Sequence, residues 1–170
     1  MVVPLPIETE RLSIRPFVPA EDAAVMTTVY CDPEVMRYIP GGVLAGEDAV
    51  RSHLERYERE HAERGFGFWA IVERAGVYLI GDVGFGVLEL TGDVELGWTL
   101  ARDRWGNGFA TEAATACLAA GFAHLDVPRI VAVVDAGNEA SMRVARRIGM
   151  RLEDEVLVHE RLHALFAADR

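Results

Sequence analysis

Gly106 and Gly108 flank Asn107, and the run continues Phe109-Ala110-Thr111-Glu112-Ala113. Ahead of them Val94, Leu96, Trp98 and Leu100 alternate with Glu95, Gly97 and Thr99. That period of two predicts a half-buried strand. From Thr111 to about His124 the chain is Ala-rich and predicts a helix. Strand, glycine turn and helix N-terminus together present unpaired backbone N–H groups and a partial positive charge. Glycines there let an anion approach the backbone, so the chemistry indicated is an oxyanion or phosphate cradle. A dinucleotide fingerprint needs a third glycine where Thr111 stands, and the Gly-Lys-Ser/Thr of a Walker A loop occurs nowhere.

Two further features carry chemistry. Glu95 lies on the polar face of the strand, opposite Val94, Leu96 and Trp98, where a carboxylate serves as a base or as a rim ion-pair partner. Asn138-Glu139-Ala140-Ser141 opens the last helix, with Asn138 as its N-cap.

The elements that hold these residues read in order. Arg11 to Pro16 predicts a first strand. Pro19, with Glu21 and Asp22 behind it, starts a helix to about Tyr30. Asp32-Pro33 caps a short helical turn through Arg37, and Tyr38 to Gly42 form a loop. Val50, Leu54, Tyr57 and His61 make one buried stripe on a helix over Glu47 to Arg64, stopped by Gly65. Phe68 to Glu73, Leu79 to Leu90 and the Glu95 strand form an antiparallel meander, with a bulge or close backbone approach at Gly81, Gly84 and Gly86. Arg129 to Val134 is an apolar run of strand length, buried on both faces. Strand, helix and strand make a right-handed parallel crossover. A last helix stopped by Gly149 precedes a hairpin of Arg151 to Val158 and Leu162 to Ala167, turning at His159-Glu160-Arg161. The fold class is α+β: one mixed, mostly antiparallel sheet flanked by helices, with a central parallel strand–helix–strand crossover, in one domain over residues 1–170.

Trp105-Gly106-Asn107-Gly108-Phe109-Ala110 resembles the acetyl-CoA pyrophosphate loop of the GNAT N-acetyltransferases, Gln/Arg-x-x-Gly-x-Gly/Ala. With Thr111-Glu112-Ala113, and with Glu8-Thr9-Glu10-Arg11-Leu12 and Arg15-Pro16 at the start, it looks like the RimJ/RimL-type branch. The element order matches over essentially the whole chain. The resemblance implies that acetyl-CoA lies where the strands ending at Leu100 and Asp135 splay. Its pantetheine arm would add to the first strand through backbone groups of Trp98, Thr99 and Leu100. Its pyrophosphate would rest on the N–H groups from Gly106 to Thr111, with the Thr111 hydroxyl as a further donor. Asn138 would bond the pantetheine amide, a role that coexists with capping. Many members place a Tyr four residues beyond Ser141 to protonate the leaving thiolate. Here Ala145 stands there, and Ser141, one turn earlier, is the candidate donor. Gly97 at a bulge would present a backbone N–H to the thioester oxygen.

The implied activity is direct acetyl transfer to a primary amine, a protein N-terminal α-amine or a small-molecule amine, in a ternary complex. The alternative is a catalytically inactive acyl-CoA-binding module of the same fold. Deprotonating a lysine-like amine at pH 7 costs about 4.6 kcal/mol, and a peptide α-amine about 1, so a weak base such as Glu95 serves an N-terminal substrate. Glu112, in the first helical turn, complements the helix dipole. Tyr38, Trp69 and Phe85 are candidates to line the acceptor side.

The net charge of −10 over 170 residues argues against nucleic acid or an anionic membrane as partner and suits a cationic one. Cys31 and Cys117 stand far apart, and the five histidines show no ligand spacing, so no metal site is expected. The first residues lack a basic, then apolar, leader pattern, and no apolar run reaches 18 residues. The expectation is a cytoplasmic protein, with a homodimer through an apolar final hairpin as one possible assembly.

Overall fold

A computed structural model describes residues 1–158 and 160–170. Eight strands form one sheet in the order β1-β2-β3-β4-β5-β6-β8-β7. They are β1 (Ile7–Glu8), β2 (Leu12–Arg15), β3 (Phe68–Glu73), β4 (Tyr78–Val87), β5 (Val94–Leu100), β6 (Arg129–Asp135), β7 (Arg151–Val158) and β8 (Arg161–Asp169). The helices are α1 (Pro19–Tyr30), α2 (Pro33–Met36), α3 (Glu47–Arg64), α4 (Phe109–His124) and α5 (Glu139–Arg147). Every neighbouring pair of strands is antiparallel except β5 and β6, which α4 connects.

The alternation in the sequence sorts side chains onto two faces of the sheet. On one face Trp69, Ile71, Val83, Phe85 and Leu96 pack with Ala113, Ala114 and Cys117 of α4. On the other Ala70 and Phe68 meet Met26, Tyr30, Leu54 and Tyr57 of α1 and α3. Leu54 is wholly buried, a contribution of about 2 kcal/mol. The α3 stripe holds for Val50, Leu54 and Tyr57. His61 is half-buried instead, its Nδ1 accepting the Trp69 indole N–H at 3.3 Å.

Several boundaries differ from expectation. β1 was not foreseen, since two residues leave no periodicity. β4 ends at Val87 because Leu88 to Asp93 close a turn, the Leu88 N–H reaching the Asp93 carbonyl at 2.9 Å. α4 starts at Phe109 rather than Thr111, because Gly108 at φ 81° serves as its N-cap. The irregularity expected in β4 is present: the register shift opposite Ile71 and Val72 puts a bulge at Ile80, and a Cβ on Gly81 or Gly84 would run into the Thr99 or Gly67 carbonyl oxygen. β4 and β5 pair without a break from Gly81↔Leu100 to Val87↔Val94, so the bulge expected at Gly97 is absent. Trp69 and Phe85 are 1% exposed and meet edge to face in the α4-side core, so neither lines an acceptor site. The final hairpin is less apolar than expected: β7 is an edge strand whose Glu153, Asp154 and Glu155 are exposed. His159 of its turn lies outside the described residues.

Candidate active site

The sheet opens between β5 and β6. Their parallel ladder has two rows, Val94↔Ile130 and Glu95↔Val131. Below it, the Arg129 guanidinium grips Asp93 through Nη2–Oδ2 at 2.5 Å and Nε–Oδ1 at 3.1 Å. Above it β6 stays with β8 from Arg129 to Asp135, and β5 stays with β4 to Leu100. From Leu96 onward the β6-facing edge of β5 therefore has no strand partner. The opening is a cleft of about 670 Å³. Glu95, Trp98, Thr99, Asn138 and Ser141 all line it. An extended ligand with alternating amide donors and acceptors fits such an unpaired edge.

The glycine loop lies at the outer end of β5. Arg102–Arg104 form a single 3₁₀ turn, and the Trp105 indole N–H donates to the Leu100 carbonyl at 2.9 Å, tying the loop to the strand end. Asn107 Nδ2 donates to the carbonyls of Arg104 at 3.3 Å and Trp105 at 3.1 Å, so its side chain braces the turn. Gly106 and Gly108 have φ 78° and 81°, a region closed to most side chains. The first intrahelical bond of α4 runs from Glu112 N–H to Gly108 C=O, so the N–H groups just before it lie free of the helix ladder. Leu100 and Phe109 point into the core and are 6% exposed. They contribute backbone here, as Ala110 and Thr111 do.

The far wall comes from β6, α5 and the β7–β8 hairpin. The Asn138 side-chain oxygen accepts the Ser141 N–H at 3.1 Å as the helix cap, which leaves the amide nitrogen to donate into the cleft. Asp135 is buried. Its Oδ1 accepts the Gly137 N–H at 2.9 Å and its Oδ2 meets Arg161 Nη2 at 2.7 Å. The Arg161 guanidinium also stands over the Tyr38 ring, 5.9 Å from its centroid, which joins the α2 loop to the hairpin across the mouth. Of the three expected acceptor-side aromatics, only Tyr38 lines the cleft. Ala145, at the position of the family tyrosine, is fully buried and offers no proton donor.

Two carboxylates in the cleft have shifted titration. Burial raises the Glu95 carboxyl above its ordinary range, against a pull from the Val133 backbone N–H across the opening. Burial pushes the Asp82 carboxyl up to about 7, partly offset by hydrogen bonding with Tyr30 and by the nearby Thr99 hydroxyl. The Tyr30 hydroxyl donates to Asp82 Oδ2 at 2.5 Å. Reasoning from the sequence missed Asp82, Tyr57, Phe68, Asp135 and His163, all cleft residues. For Asp82 a signal existed: it is the one charged side chain within the apolar, glycine-rich run Leu79 to Leu88.

A second hollow, of about 630 Å³, lies over Arg15, Asp22, Tyr78 and Arg104. Two of its ion pairs are internal: Arg15 holds Asp22 at 2.8 Å and Arg104 holds Glu73 at 3.1 Å. No group of three His, Cys, Asp or Glu side chains among the described residues is placed to hold a metal ion. No helix among them is long and apolar enough to cross a membrane.

Residues 11–151 match the acetyltransferase (GNAT) domain family. The chain is 34% identical over 147 residues to a Bacillus subtilis (strain 168) protein named uncharacterized N-acetyltransferase YnaD, covering 86% of this chain and 83% of that one. It is 32% identical over 144 residues to YkkB of the same organism, covering 84% and 83%. The crystal structure of a GNAT-family acetyltransferase from Bacillus anthracis superposes with a TM-score of 0.85 at 27% identity, over 97% of this chain and 98% of that one. The chain belongs to the GNAT acetyltransferase family and is an acetyl-transferring enzyme.

Proposed function

We propose that residues 1–170 act as one domain that transfers the acetyl group of acetyl-CoA directly to a primary amine, within a ternary complex. The observation that carries this reading is the opening of β5 from β6 beyond Glu95↔Val131, with the Gly106–Gly108 loop and the start of α4 at its outer end. The shape and donor set of that opening fit the ligand. The unpaired edge of β5 at Trp98, Thr99 and Leu100 suits the pantetheine amides, with the Asn138 amide as a further partner. The N–H groups of Gly106, Asn107, Gly108, Phe109, Ala110 and Thr111 suit the pyrophosphate; the Trp105 backbone N–H is held by the Arg102 carbonyl and its indole by the Leu100 carbonyl, so Trp105 shapes the loop. Bound there, acetyl-CoA supplies an acetyl group activated as a thioester.

The chain's own residues then divide the work. Glu95, at the apex of the opening, accepts the proton released as the amine nitrogen bonds to the acetyl carbon and the carbon–sulfur bond breaks. Its raised pKa brings it nearer the working pH of a general base. Ser141 donates a hydrogen bond toward the departing sulfur, which leaves as the thiolate and takes up a proton from solvent to become the CoA thiol, while Glu95 returns its own proton to solvent. Backbone N–H groups on the open edge of β5 steady the carbonyl oxygen. The loop residues Trp105 to Ala113 and the opening Thr9-Glu10-Arg11-Leu12 support a RimJ/RimL-type member, acting on an N-terminal or small-molecule amine. The absence of a membrane-spanning helix among the described residues is compatible with work in the cytoplasm.

Calorimetry with acetyl-CoA, followed by thiol release with a panel of amines, tests the reading. Binding with amine-dependent release supports it. Absence of binding sinks it. The buried Ala145 in place of tyrosine favours a second reading, an acyl-CoA-binding module without turnover, and binding without release would establish that instead.

A further inference from the structure

Among the described residues four polar or charged ones are buried, three of them aspartates. Asp22 has the Arg15 guanidinium and the Val18 N–H. Asp135 has Arg161 and the Gly137 N–H. Asp82, 1% exposed, has the Tyr30 hydroxyl on Oδ2 and, among the described residues, no cation and no hydrogen-bond partner for Oδ1. A buried carboxylate left this way costs more than either of the others, and it lines the floor of the cleft with Tyr57, Phe68 and Thr99.

Its position relative to Glu95 is fixed by the ladder. Asp82 pairs with Thr99 and Gly86 with Glu95 across β4 and β5, so both carboxylates share the α1–α3 face of the sheet. Four residues of strand separate the two rows, about 13 Å. Between them Gly84 faces Gly97. A Cβ on Gly97 would come within 3.0 Å of the Phe68 ring, so the absence of that carbon keeps a narrow trench under the ring. Asp82, Glu89, Glu95 and Asp135 line the cleft, and of these only Asp135 has an arginine partner among the described residues, Arg161 at the mouth.

We propose that Asp82 anchors a second positive charge on the acceptor, so that the preferred acceptor is a linear diamine or polyamine. This rests on the amine-acetylating reading above. One amine reaches the Glu95 end for reaction. The other, as an ammonium, sits at Asp82 with the Tyr30 and Thr99 hydroxyls beside it, and the methylene chain lies along the glycine trench under Phe68 and Tyr57. A neutral carboxyl bonded to Tyr30 would fill the same place without selecting anything, and the two differ in what they do to specificity.

The test is thiol release from acetyl-CoA with spermidine, putrescine and n-butylamine, for the wild type and Asp82→Asn. The chain has no lysine, its 17 Lys+Arg positions all being arginine, so the enzyme contributes no ε-amine to the assay. A hydrogen bond to a charged group is worth about 1.5–3 kcal/mol, roughly 10- to 150-fold. The wild type should prefer spermidine or putrescine over n-butylamine by that order in kcat/KM, and Asp82→Asn should collapse the ratio, chiefly through KM. Tyr30→Phe, which keeps the charge, should retain most of it. Equal use of mono- and diamines by the wild type overturns the proposal, even where Asp82→Asn does not fold. So does a ratio unchanged in a folded Asp82→Asn. If no amine supports release, the transfer reading fails by itself. Calorimetric titration with spermidine then decides the anchor separately: binding weakened at least tenfold by Asp82→Asn supports it, and no binding overturns it.

Discussion

Arg11 and Glu112, 101 residues apart in sequence, meet at 2.6 Å between Nε and Oε2. Glu112 Oε1 also accepts the Arg11 backbone N–H at 2.9 Å and the Thr9 hydroxyl at 2.6 Å. From the same place Arg11 Nη1 donates to the Asn107 carbonyl at 2.9 Å, and its guanidinium covers the Phe109 ring at 4.5 Å. The lead into β2 thus holds the glycine loop from behind. Burial pushes the Glu112 carboxyl up, and the Thr9 and Arg11 donors outweigh it, so its pKa sits below the ordinary range. Arg11→Ala should weaken acetyl-CoA binding about tenfold in calorimetry, with a smaller change in kcat, because it loosens the loop and leaves Glu95 untouched.

Gly108→Glu should remove acetyl-CoA binding while the protein stays folded. The substitution places a side chain at φ 81° and a negative charge where the helix dipole is positive. Gly108→Ala separates the two effects: the backbone strain alone, of order 1 kcal/mol, should weaken binding only several-fold. Equal loss in both variants would show that charge plays no part.

Glu95→Gln should lower kcat by about 10²–10⁴ with little effect on acetyl-CoA affinity. The raised Glu95 pKa gives the wild-type kcat/KM an acid limb with its midpoint above the ordinary carboxylate range, beneath the further rise that comes from deprotonation of the amine itself. Glu95→Gln should flatten that acid limb. A profile identical in shape for both proteins would remove Glu95 from the role of base.

Asp82 makes a prediction about stability. Its carboxyl titrates near 7 in the folded chain against 3.8 when exposed, so the folded state holds the proton more tightly. The contribution is complete below about pH 4 and is lost as pH rises through about 7. His53 works in the opposite sense. Burial and the nearby Arg56 lower it to about 4, so its contribution is full above about 6.5 and lost as pH falls. Comparing Asp82→Asn with the wild type cancels the His53 part. The mutant should gain relative to the wild type from pH 5 to pH 8, by on the order of a few kcal/mol, read as Tm in thermal melts. A pH-independent difference would mean that Asp82 titrates normally.

Much of the site was legible because it is local. Glycine at positions 106 and 108, and Asn138 three residues ahead of Ser141, are short-range requirements of a turn and a cap, and they survive folding as read. Glu95 was placed on its face by strand period alone. What stayed hidden is what distant segments do to one another. Nothing near Asp82 in sequence announces Tyr30, and nothing near Glu112 announces Arg11. The bulge expected at Gly97 is absent while the one expected near Gly81 is present at Ile80, because register is a property of a strand pair. Trp69 and Phe85 went to the core because one residue of phase decides which face an aromatic takes. The start of α4 moved by two residues because Gly108, in the left-handed region, caps it.

The two-row ladder between β5 and β6 also has a mechanical meaning. The sheet is two plates, β1 to β5 and β6 to β8, joined along one short weld that the Arg129–Asp93 clasp reinforces. Every other seam between the longer strands runs for several rows. Among those strands the backbone hydrogen bonding of the sheet is therefore thinnest at that weld. A molecule lying along both lips of the opening would act as a splint, adding hydrogen bonds across a seam whose strands make few, over the shared core in which Phe85 and Leu96 pack in one cluster with Ile130 and Phe166.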